Sequence, residues 1–145
     1  MAGPLFTIGE RQFNVELKNA LENAGYEVWL PQDHEPREKT AKAIFDMDVE
    51  GMDWSDMTLA CMNQADPDSG TCFECGYTYA KGKPIIIYRT DFRVIEDYSK
   101  AMVNLMLTES ADYQLKGYFG MSIAALVDLL CDLLHEVERD IKENG

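Results

Sequence analysis

A chain of 145 residues, 46% apolar and 27% charged, falls in the range of one soluble domain, and no stretch is apolar for long enough to span a bilayer. Its 26 acidic against 13 basic residues, a formal charge of −13, argue against nucleic acid as a partner, because binding a phosphate backbone relies on Lys and Arg replacing counterions. Small neutral or cationic ligands suit that balance better.

In chain order, "ERQFNVELKNALENAG" places Phe13, Leu17, Ala20, Leu21 and Ala24 at helical spacing, with Gly25 as the stop. "YEVWL" reads as a strand ended by Pro31, and "PQDHEPRE" as a loop. Residues 38–54 form an amphipathic pattern through Ala41, Ile44, Phe45, Asp48, Val49 and Met52, and "MTLACM" reads as a buried strand. After the loop "NQADPDSG" come a short helix over 71–81, the strand "PIIIY", the polar loop "RTDFR" and a helix covering part of 96–106. The tail carries Ile123, Leu126, Val127, Leu130, Leu133, Leu134, Val137 and Ile141 on one stripe, a long helix that closes the domain.

Strands alternating with helices predict an α/β fold, a doubly wound parallel sheet covered on both faces. Ligands in such sheets bind beyond the carboxyl ends of the strands, where "MAGPLF", "PQDHE", "NQADPDSG" and "RTDFR" are expected to gather. Three carboxylates converge on that edge: Asp48 from the end of a helix, Asp68 from the loop, and Glu74 one turn into the next helix, among Phe73, Gly76 and Tyr77, which read as buried. Acids sharing a cleft can divide the work, one ionised as nucleophile and another protonated as acid, which suits glycosidic bond chemistry. The blander roles are a helix cap for Asp68 and a solvated surface position for Glu74.

The segments "AGPLFT", "LPQ", "DPDSGTCFECGYTYAKGKP", "YRTDFR" and "VNLML", in this order and spacing, resemble the nucleoside 2-deoxyribosyltransferases over nearly the whole chain. The resemblance implies a single flavodoxin-like domain over residues 1–145 with about five strands. It further implies transfer of 2-deoxyribose between nucleobases with retained configuration, through a covalent deoxyribosyl-enzyme, in nucleoside salvage. Carried over residue by residue, Glu74 is the nucleophile, Asp68 binds sugar hydroxyls, and Asp48 faces the base and moves a proton to or from its ring nitrogen. Gly70 belongs to the loop that holds the sugar, Phe6 packs on the ligand, and Gln32 and Asp33 occupy the base-contacting loop. Asn104 matches an asparagine that reaches into the neighbouring subunit's site, which implies a homo-oligomer, a dimer at least or a hexamer. The family's first-strand tyrosine, which orients the nucleophile, has no counterpart among these segments; Tyr77 is the substitute considered.

The implied partners are deoxynucleosides and free nucleobases, with no cofactor, metal, nucleic acid or membrane. Cys72 and Cys75 form a lone C-x-x-C pair, and His34 and His135 lie far from it, so a metal site is not expected. No basic stretch followed by an apolar one opens the chain, so a cytoplasmic protein with Cys61, Cys72, Cys75 and Cys131 reduced is expected. Met47, Met52, Met57 and Met62 read as core filler or an adaptable subunit contact, and Phe6, Phe73, Tyr77 and Phe92 as an apolar lining or core. Arg89 and Asp91 steer a ligand or sit in a solvated loop. Two rival functions stand beside the transferase: an N-glycosidase hydrolysing deoxynucleoside 5′-monophosphates, for which Ser69 is the one phosphate-loop candidate, and a non-catalytic nucleotide sensor.

Overall fold

The computed structural model of the chain describes residues 1–91 and 102–144. Helix α1, Ile8–Asn23, opens with a reciprocal cap in which Thr7 Oγ1 accepts from the Glu10 amide and the Glu10 carboxylate accepts from the Thr7 amide. It ends at Gly25, whose φ of 100° lies in the left-handed region that favours glycine. A 3-10 turn, Pro31–Asp33, leads to α2, Ala41–Trp54, capped by Thr40. Then follow β1 Thr58–Cys61, α3 Ser69–Ala80, β2 Ile85–Arg89, the short α4 Leu105–Thr108, β3 Tyr113–Lys116 and α5 Ile123–Asn144.

The three strands form one parallel sheet in the order β1-β2-β3. Alternation along β1 and β2 divides the core. Leu59, Cys61, Ile86 and Tyr88 pack with Leu17 and Leu21 of α1 and Leu126, Leu130 and Val137 of α5. Ala60, Met62, Ile85 and Ile87 face the other way, onto Cys75 of α3 and onto Met102 and Val103. Both faces are covered, which is why these strands read as unbroken apolar runs.

Among the described residues the sheet has three strands, not about five. "YEVWL" forms no ladder among the described residues. Ala2 makes one parallel bridge with Ala60, and the Met1 nitrogen donates to the Trp29 carbonyl at 2.6 Å. Below that contact, an open groove of about 1080 Å³ separates residues 26–29 from Met57 and Leu59. Conversely, β3 had no reading in the sequence, because "YQLK" alternates half-buried with exposed residues and carries one aliphatic side chain. Helix α2 begins three residues later than its pattern, at the Thr40 cap, and leaves Ala41, Ile44 and Phe45 exposed. The helix expected over part of 96–106 falls mostly outside the described residues, as does Phe92.

Candidate active site

The expected loops do meet at the carboxyl edge, tied by side-chain amides and one arginine. Asn14 Nδ2 donates to the Pro4 carbonyl and to Gln32 Oε1, and Gln32 Nε2 donates to the Arg11 carbonyl. Asn63 Oδ1 accepts from the Thr90 and Asp91 amides. Arg89 is neither a ligand-steering nor a solvated residue: it is 2% exposed and pairs with Asp91 at 2.8 Å. It also donates to the carbonyls of Gln64 and Met102, pinning three segments together.

Two of the three carboxylates line one narrow cleft. Asp48, in the middle of α2 rather than at its end, and Glu74, in the second turn of α3, face it together with Ala2, Trp29, Pro31 and Gly51. The cleft runs alongside β1 as far as Thr58, so it lies on the α2/α3 side of the sheet and not only beyond the strand ends. Its free volume is about 20 Å³, room for about one water.

Burial first, and then the Asp48 charge, push the Glu74 carboxyl up to about 7; Asp68 adds to this, and the Met1 ammonium opposes it. Burial also pushes the Asp48 carboxyl up, and its Oδ1 is buried without a hydrogen-bond partner. Two such groups favour a state in which one carries a proton and the other does not. That is the division of labour acid-assisted nucleophilic substitution needs.

Asp68 caps α3: its Oδ2 accepts from the Thr71 amide at 3.0 Å and the Thr71 hydroxyl at 3.3 Å. It remains close enough for its charge to bear on Glu74. Gly70 sits beside it, where a Cβ would lie 3.0 Å from the same oxygen. The other expected site residues do not line the cleft. Phe6 is 71% exposed, Gln32 is held by Asn14 and Arg11, and Asp33 pairs with Lys18 at 2.6 Å. Asn104 caps α4, accepting from the Met106 amide. Phe73 and Gly76 are exposed and Tyr77 half-buried, against the reading of Glu74's neighbours as buried; Cys75 takes the inward position. Tyr77 does not orient Glu74 either, since its hydroxyl donates to Asp53 at 2.9 Å. Trp29 and Gly51 are the cleft residues that sequence reasoning missed. A glycine inside a helical pattern is the available signal, because it marks a close approach.

Parallel strands packed by helices on both faces, with paired carboxylates in a cleft beside the first strand, define an α/β protein suited to glycosidic chemistry. The chain belongs to the nucleoside 2-deoxyribosyltransferase family, whose sequence profile matches residues 1–106. Among solved structures, a conserved protein of Enterococcus faecalis is similar with a TM-score of 0.69 and 22% identity, over 96% of this chain and 95% of that one. A 2-deoxyribosyltransferase of Bacillus psychrosaccharolyticus follows at 0.62 and 22%, over 87% of each chain. A CMP N-glycosidase of Clostridium botulinum gives 0.60 and 21%, over 87% and 91%. At these identities the likeness is one of fold. No curated protein sequence matches the chain.

Proposed function

We propose that the protein exchanges the base of 2-deoxynucleosides through a deoxyribosyl ester on Glu74, as one domain spanning residues 1–145. The observation that carries this reading is the pairing of Glu74 with Asp48 in one buried cleft of a chain belonging to this family. In the first step a Glu74 carboxylate oxygen bonds to the anomeric carbon as the glycosidic C–N bond breaks. The electron pair leaves with the base, and its ring nitrogen takes the proton held by Asp48. In the second step the ring nitrogen of an incoming base attacks the same carbon, the ester bond breaks, and the proton returns to Asp48. Two displacements retain configuration. The 2-deoxy sugar lacks an electron-withdrawing hydroxyl, so positive charge develops on it readily and the protein has chiefly to place the carboxylates.

In this reading Asp68 and Gly70 hold the sugar, Phe6 packs on the ligand, and Gln32 and Asp33 contact the base. Asn104 serves the neighbouring subunit of a homo-oligomer; Leu105 and Met106 beside it are 64% and 73% exposed, as a subunit contact requires. The work belongs to cytoplasmic nucleoside salvage, and no described helix is long and apolar enough to cross a membrane.

Hydrolysis of a deoxynucleoside 5′-monophosphate is the second reading, favoured by the CMP N-glycosidase sharing the fold to nearly the same degree as the transferase. Chromatography of deoxyinosine with free adenine separates the two. Deoxyadenosine formed by the wild type and not by Glu74→Ala supports transfer, and free hypoxanthine alone, or cleavage of a deoxynucleotide, supports hydrolysis.

A further inference from the structure

Three buried side-chain polar atoms among the described residues have no hydrogen-bond partner: the Tyr26 hydroxyl, the Trp29 indole nitrogen and Asp48 Oδ1. Two of the three belong to residues that line the Glu74 cleft. Leaving a buried polar group unmatched costs about 1–3 kcal/mol, so two in one small cleft call for a polar partner, a water or a ligand atom in its place. The indole nitrogen can only donate.

The place of the ring is fixed by its surroundings. The Trp29 ring stacks on His34 with centroids 3.8 Å apart and planes 10° from parallel, and Trp54 braces it at 5.9 Å. Its pyrrole edge rests on Gly51, where any Cβ would lie 2.2 Å from the indole nitrogen. A free volume near 20 Å³, that of about one water, admits a single atom of a ring's edge in the water's place and not the ring itself.

We propose that Trp29 is a specificity residue of this site, its indole N–H donating to an acceptor nitrogen on the edge of the nucleobase beside Asp48. The inference rests on the base-exchange reading and adds to it the means of base selection: an aromatic base with an in-plane lone pair is accepted, and a base with C–H at that position is refused. Gly51 is what allows the indole to lie there.

The test is base exchange from deoxyinosine to adenine and to adenine analogues in which one ring nitrogen at a time is replaced by C–H, with wild type and Trp29→Phe. For one analogue the wild type is expected to lose about ten-fold in kcat/KM, the order of one hydrogen bond. Trp29→Phe is expected to show that loss already with adenine and no further loss with that analogue, since both changes remove the same bond. Equal activity of the two proteins on every base overturns the proposal. So does a uniform loss across all analogues, which would make Trp29 a packing residue. Should no nucleoside turn over, the base-exchange reading fails by itself, and Trp29 is then read by its fluorescence in a Trp54→Phe background titrated with adenine and the same analogues. A change on binding that weakens for one analogue supports the contact, and no change at saturating base overturns it.

Discussion

A carboxylate attacks carbon only when ionised, and Glu74 resists ionisation because burial and Asp48 raise its pKa to about 7. Transfer also needs Asp48 to carry the one proton the pair holds, so the rate should pass through a maximum below about 7 and fall as that last proton leaves, and a rate profile from pH 4 to 9 checks this. Stability responds to the same proton. A carboxyl that titrates near 4.5 unfolded and near 7 folded binds its proton more tightly in the folded state, so stability falls as pH rises across that window and levels off above it. Glu74→Gln, which cannot ionise, is expected to abolish transfer and the deoxyribosyl adduct seen by intact mass. At pH 8 it should melt above wild type by on the order of 1 kcal/mol, or ~4 °C, an advantage that shrinks toward pH 4.5. Asp48→Asn keeps the fold but loses the proton donor, and should slow transfer by about 10²–10⁴-fold. Arg89 acts on the fold instead. Arg89→Met removes the buried ion pair with Asp91 and the donor of two loop carbonyls, so denaturant melts should show a loss of about 3 kcal/mol.

At the scale of elements, what the sequence revealed depended on whether an element's pattern is local. Helix α1 was legible by its apolar stripe and stop glycine, α3 by its capping aspartate and α5 by its stripe, all local signals, and β1 and β2 because burial on both faces leaves a continuous apolar run. The extended segment 26–30 and β3 were not legible, since a strand exists only with a neighbour to pair with, and that neighbour lies far along the chain. The candidate site divides likewise. Glu74, Asp48 and Asp68 stand out by residue type and motif spacing, whereas Trp29 enters the cleft only because Gly51 of α2 lets an indole rest on the helix backbone. The same closeness makes the α2 packing testable. Gly51→Ala removes a flexible residue from a helix, which taken alone favours the helix by roughly 1 kcal/mol. Here the added methyl meets the indole, and displacing that ring should turn the gain into a net loss of about 1–3 kcal/mol by chemical denaturation.

The whole molecule presents a third kind of problem: a large apolar surface that the chain alone does not cover. Ile44, Phe45 and Phe73 are each about half exposed, and Phe45 and Phe73 meet ring to ring at 5.8 Å across α2 and α3. Leu105 and Met106, beside Asn104, are more exposed still. Exposed apolar side chains gathered on two helices and on the turn carrying a proposed substrate ligand fit a subunit contact better than a solvated face. If Asn104 serves the neighbouring site, activity belongs to the assembly, and two damaged proteins can repair each other. Glu74→Gln and Asn104→Ala should each be inactive or nearly so alone. Mixed in equal amounts through a step that lets subunits exchange, half of the resulting dimers carry one of each chain. In those, one site combines an intact Glu74 with an intact Asn104 while the other has lost both, so the mixture should recover about a quarter of wild-type activity. Recovery that grows with subunit exchange and is absent when the proteins are mixed without it would establish a shared site. A mixture that stays as inactive as its components would place Asn104 in its own subunit's architecture, where it already caps α4.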